Sequence, residues 1–196
     1  MQPRTPRQSA RELQEPGIHR ADDDAALSAE LAAVVAGARR RVVRDGDRQI
    51  DTAHLLHSLL ESDAEVRAVF GGEGPRIARL LGYLVQRSIG YGLRWQSGVE
   101  DLGGAPPTAE GAGFSPLAAA CMEHARERAA RLGGGPACGV DVLAAIVVDP
   151  RARAVEVLER AGIDPRELLA RIEARTGTPH GPPLEECAAE GGDTAH

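Results

Sequence analysis

The chain has 196 residues, a formal net charge of −6 and only 3% aromatic residues. All 23 of its basic residues are arginine, which excludes a P-loop lysine, a Schiff-base lysine and a lysine general base, and the acidic balance argues against a nucleic-acid binder. Three cysteines without a CxxC pair, and no apolar run near the ~20 residues of a membrane span, point to a reduced cytoplasmic protein without membrane attachment.

Residues 1–25 lack periodicity, carry Pro3, Pro6 and Pro16, and read as disordered. They hold no apolar signal core, and Asp22-Asp23-Asp24 falls just before the first helix, where negative charge is favourable. That helix is predicted over 28–44, with Leu27, Leu31, Val34, Ala38 and Val42 as one apolar stripe. The turn Asp45-Gly46-Asp47 closes it. Asp51 or Thr52 can cap a second helix whose inner face is Leu55, Leu56, Leu59 and Leu60. A short helix over 64–70 follows, then Gly71-Gly72, then a helix opened by Pro75 and carrying Ile77, Leu80, Leu81 and Leu84. Residues 88–113 are rich in glycine with Pro106-Pro107 and read as a linker.

From Phe114 the plan repeats. Ser115 caps and Pro116 opens a helix with the stripe Leu117, Cys121, Ala125, Ala129 and Leu132. A helix near Val140 carries Val142, Leu143, Ile146 and Val147. Asp149-Pro150 restarts the chain into Val155 and Leu158, and Gly162-Ile163-Asp164-Pro165 leads into Leu168, Leu169 and Ile172. Residues 177–196 read as a disordered tail. The segments 27–87 and 114–176 are therefore two copies of one helical module. The match of Leu27 to Phe114 gives an offset of 87, that of Asp51-Thr52-Ala53-His54 to Gly139-Val140-Asp141-Val142 gives 88, and that of Pro75 to Pro165 gives 90. The first drift is assigned to the extra glycine in Gly133-Gly134-Gly135. Each copy alone would bury too little surface, so the two are expected to pack as one pseudo-symmetric unit over 26–176.

Little in the chain points to catalysis. His54 and His57 share metal-like spacing, but no Glu completes an HExxH pattern and no further ligands lie nearby, so packing and helix-start roles are favoured. Cys121 and His124 share a helix face without an orienting group or an oxyanion site. Arg39-Arg40-Arg41 with Arg44 reads mainly as a solvated basic face. The residues describe a helical, non-catalytic binding module with no metal and no cofactor.

The duplicated order resembles the Clp repeat (Clp R) domain at the N-terminus of Clp/Hsp100 unfoldases. The resemblance rests on Asp51-Thr52-Ala53-His54-Leu55-Leu56, on Gly139-Val140-Asp141-Val142-Leu143-Ala144 and on the start Phe114-Ser115-Pro116. It implies an all-α fold of two four-helix repeats, about eight helices related by a pseudo-twofold axis. It also implies a bacterial, cytoplasmic protein of regulated proteolysis, here without the ATPase modules. The implied partners are Clp unfoldase or protease components, adaptors, or substrate proteins and peptides. The implied ligand contacts are Thr52 and His54 in the first copy, and Phe114 and Asp141 in the second. In phosphoarginine-reading members a carboxylate before the motif's His position holds the guanidinium; Asp141 keeps it and Ala53 has lost it, so a ligand would favour the second copy. Helix capping is the competing role for Asp141. Two other functions fit the same residues: a decoy or immunity protein that sequesters Clp-targeting peptides, and a helical regulator that binds DNA or protein through the Arg39–Arg44 surface.

Overall fold

The computed structural model describes residues 27–72, 74–88 and 113–176. The sequence expectations for 1–25, for 89–112 and for 177–196, Cys187 included, lie outside these residues. Eight helices follow in chain order among the described residues: α1 (Ala29–Asp45), α2 (Thr52–Ser62), α3 (Ala64–Val69), α4 (Pro75–Ser88), α5 (Pro116–Leu132), α6 (Gly139–Val148), α7 (Arg153–Arg160) and α8 (Pro165–Thr176).

Capping chemistry sets where the long helices begin. Ser28 Oγ accepts from the Leu31 N–H at 3.1 Å, and Ser115 Oγ accepts from the Ala118 N–H at 3.1 Å. Gly46 ends α1 with φ of 74°, a left-handed conformation that costs glycine nothing. The stripe expected on α1 is the buried one. On α5 the stripe is rotated: Ala118, Cys121, Met122, Ala125 and Ala129 are buried, while Leu117 is half-buried and Leu132 is 55% exposed. The buried face of α5 is built largely of small alanines, and the larger leucines are left at the margins.

The second helix of each copy forms the centre. Every residue of α2 from Thr52 to Leu60 is buried, and α6 is buried from Gly139 to Ala144 and again at Ile146 and Val147. A helix enclosed on all sides is expected to be apolar nearly all round; α6 meets this after Asp141, whereas α2 also buries Thr52, His54, His57 and Ser58 among its leucines. α1 lies along α2, and α5 lies along α6 in the same way. The third helices cross over: α3 packs on α6 and α8, and α7 packs on α2 and α4. Two isolated parallel bridges, Leu27 with Ala137 and Ile50 with Phe114, tie the copies together, and no strand occurs among the described residues. Exchanging the copies maps each of these contacts onto another, so the architecture is pseudo-twofold.

The register of the repeat differs from the expected one. The N-caps Ser28 and Ser115 are 87 residues apart, and so are the N-caps Asp51 and Cys138. The extra glycine in the α5–α6 turn therefore shifts nothing. Asp141 is the counterpart of His54, and Ala53 is the counterpart of Val140. The alternation of apolar residues along a fully buried helix does not define its phase; the cap does.

Candidate functional site

Three of the four residues nominated from the sequence are buried at helix starts. Thr52 sits in the first turn of α2, where its Oγ1 accepts the Ala154 N–H at 3.1 Å. Next to it, the Asp51 carboxylate pairs with Arg153 at 2.9 Å. Ala152, the N-cap of α7, has no side-chain acceptor of its own, so the first repeat caps a helix of the second. His54 closes a capping box: its backbone N–H donates to Asp51 Oδ1 at 2.8 Å, and its Nδ1 accepts from the Asp51 N–H at 3.2 Å. Its Nε2 lies 3.1 Å from the Asp47 carboxylate. Asp141 occupies the same position on α6. One of its oxygens accepts from the Cys138 N–H at 3.0 Å and from the Cys138 thiol at 3.1 Å, and the other lies 3.2 Å from Arg128 Nε. Phe114 is half-buried at the bridge to Ile50.

The step from His54 to Asp141 reorganises one whole face of the second repeat. Arg41 on α1 and Arg128 on α5 are counterparts at the offset of 87. In the first copy the third helical position holds an imidazole, and Arg41 reaches instead to Glu61 at the far end of α2. His57 Nε2 faces the same carboxylate at 3.4 Å. Arg41 is thus buried, not part of the solvated basic face expected for it. In the second copy the carboxylate has moved to the helix start, and Arg128 follows it. Arg128 also donates to Thr176 Oγ1 at 3.1 Å, joining α5 to α8. The positions of His57, Ser58 and Glu61 are taken by Ala144, Ala145 and Val148. Val148 is 64% exposed.

The result is a cleft of about 570 Å³ between α5, α6 and α8. Leu117, Ala144, Ala145, Val148 and Leu169 supply its apolar surface, and its polar rim is mixed in charge, with His124, Arg128, Arg131 and Arg151 beside Asp149 and Glu173. A second depression continues past Val148, Pro150 and Leu169 towards Ile163 and Arg166. Such a surface suits an aliphatic side chain on a segment with polar flanks. The two described cysteines, Cys121 in the cleft and Cys138 at the start of α6, are poor nucleophiles. Cys121 is buried in the floor, and burial together with the bond to Asp141 pushes the Cys138 thiol up to about 11. In the first copy, burial and then the neighbouring Arg41 cation hold His57 down to about 4, so it is neutral at physiological pH.

No family model matches the chain, and no curated protein matches it. Solved structures do. The N-terminal domain of the caseinolytic-protease-associated chaperone ClpD from Arabidopsis thaliana superposes with a TM-score of 0.62 at 16% identity, over 79% of this chain and 96% of that one. The N-terminal domain of Hsp104 from Candida albicans gives a TM-score of 0.58 at 11% identity, over 76% and 91%. A chain from a malarial protein secretion system gives 0.56 at 12% identity, over 76% and 94%. The fold is that of the Clp/Hsp100 N-terminal domains. Within this Clp-type fold the cleft was not foreseen from the sequence, because Arg128, Val148 and Leu169 belong to no motif. The signal that finds them is a comparison of the copies at the correct offset: apolar Ala144, Ala145 and Val148 stand where the first repeat is polar.

Proposed function

We propose that this chain is a non-catalytic peptide- and protein-recognition module of the Clp proteolysis type, which takes up partners through the cleft of its second repeat. The unequal faces of the two copies carry this reading. The same fold position is closed by the Arg41–Glu61–His57 cluster in one copy and left open and apolar in the other. The fold likeness to N-terminal domains of Clp-associated chaperones favours adaptors or substrate segments as the partners. In this reading Asp141 positions Arg128 and starts α6, Thr52 and His54 hold the first repeat together, and the ligand lies beyond them over Val148. Phosphoarginine recognition then depends on the Arg-rich rim's affinity for the phosphoryl group rather than on a free carboxylate at Asp141.

The test is binding of the purified full chain to Clp unfoldases and to arrays of client peptides, with Val148→Glu as the comparison. That variant places a carboxylate where the first repeat has Glu61. We expect it to weaken binding by about tenfold or more, equivalent to about 1.4 kcal/mol, with an unchanged melting temperature. Equal binding by both proteins, or no binding to any Clp component, overturns the reading.

A further inference from the structure

We propose that the outer face of α1 docks an acidic segment of a second protein, one that sets an aliphatic side chain against Val43 between carboxylates. No residue of α1 lines the cleft, so a partner on this face and a client in the cleft are held at once. Three observations carry the inference. First, α1 buries Leu31, Val34, Val35, Ala38, Arg41 and Val42. At 3.6 residues per turn this leaves Ala36, Arg40 and Val43 on the opposite side, with Arg39 and Arg44 flanking them. Val43 is 75% exposed, more than any other large apolar side chain among the described residues. Second, the face is basic without compensation of its own. Asp45 pairs with Arg44, Asp47 with His54, and Glu61 with Arg41 and His57. Glu30 stands in the first turn, at the other end of the helix. Arg39, Arg40 and Arg48 have no acidic partner among the described residues. Third, the other copy neutralises the same face. At the offset of 87 the counterparts of Ala36, Arg39 and Arg40 are Glu123, Arg126 and Glu127. On α5, Glu123 lies 3.3 Å from Arg126 and Glu127 lies 3.9 Å from Arg131. α1 has neither acid.

Helix electrostatics explain only part of this pattern. Positive charge is favoured in the last turn of a helix, and Arg44 stands there. Arg39 and Arg40 precede that turn, and Arg48 follows the helix. A guanidinium presents a planar fork of donors that matches a carboxylate. Unpaired arginines around a bare valine therefore select carboxylates around an aliphatic side chain. Nucleic acid fits less well: the chain carries a net charge of −6, and α1 has no aromatic side chain on which to stack a base. The contact is between charges at the protein surface, so binding weakens as salt is raised.

The experiment titrates the full chain with a synthetic glutamate-rich peptide carrying one leucine, at about 0.15 M salt, and reads affinity and amide shifts. Shifts confined to residues 36–48 are expected. Ala36→Glu/Arg40→Glu transfers the α5 pattern to α1. Because α5 is helical with that pattern, the melting temperature should hold while affinity falls about tenfold or more. Arg39→Gln/Arg48→Gln, which adds no acid, should weaken binding in the same direction. Val43→Ala, which matches the counterpart Ala130, should weaken it several-fold. Equal affinity of the wild type and both charge variants, or no binding by the wild type, overturns the inference. So do shifts spread evenly over exposed arginines elsewhere, such as Arg76 and Arg79. A single-stranded DNA oligonucleotide that displaces the peptide from the same residues at lower concentration also overturns it, and makes the face a nucleic-acid surface. Each of these failures leaves the cleft reading standing, since that reading is tested at Val148.

Discussion

At the scale of single residues, the two copies solve one packing problem in opposite ways. In the first, Thr52 extends a hydroxyl to a helix that cannot cap itself. In the second, the counterpart of Thr52 is Gly139, and the helix it meets is capped by Asp63, which accepts the Val66 N–H at 3.0 Å. A Cβ on Gly139 would stand 2.0 Å from the Asp63 carboxylate and 2.8 Å from Leu59. The side chain comes from one partner or from the other, never from both. Gly139→Ala should therefore destabilise by about 1–3 kcal/mol through overpacking. Asp63→Ala should partly relieve it, so the double variant should lose less than the sum of the singles in denaturant titrations.

His57 sets a pH dependence at the same scale. Its ordinary value is 6.5 and the fold holds it at about 4. As pH falls through 6.5 the unfolded chain takes up a proton that the folded chain refuses, so stability declines from pH 6.5 down to about 4 and levels off below that for this group. Above pH 6.5 His57 is neutral in both states and adds no pH dependence. Thermal melts of the wild type should show this decline, and His57→Gln should flatten part of it; an identical slope in both proteins would contradict the assignment.

At the scale of the elements, most helices were legible because apolar spacing and Ser, Asp and Pro starts agree with one another. The α1 stripe, the Pro75 and Pro165 starts and the all-helical class follow from those signals. Two things were not legible, for different reasons. The α5 face was misread because alanines carry little hydrophobic contrast, so Leu117 and Leu132 drew attention that Ala118 and Met122 should have had. The phase between α2 and α6 was misread by one residue because α6 has no polar stripe to align with His54, His57, Ser58 and Glu61 of α2. That single step hid the correspondence of His54 with Asp141, and with it the cleft. The sequence therefore pointed to the second copy as the unequal one, but placed the difference at Ala53.

At the scale of the whole molecule, each repeat completes the other. The buried Asp51–Arg153 pair and the Thr52–Ala154 bond both span 102 residues. Removing one partner of a buried pair strands the other charge, so Arg153→Ala should cost about 3 kcal/mol. Arg151→Ala, which breaks an exposed pair with Asp149 two residues away, should leave the melting temperature unchanged. Hydrogen exchange of α2 and α6 should slow or quicken together in the Arg153 variant, because neither helix has a core without the other copy. Independent exchange of the two would show that the repeats are separable.

The paired bridges Leu27–Ala137 and Ile50–Phe114 have the form of an isologous contact, the kind that two identical subunits make across a dyad. Here a single polypeptide plays both subunits. Association has become a first-order event, so the assembly does not dissociate on dilution as the dimer it imitates would. And because the two halves are no longer obliged to be identical, one could keep its charges for cohesion while the other exposed an apolar floor.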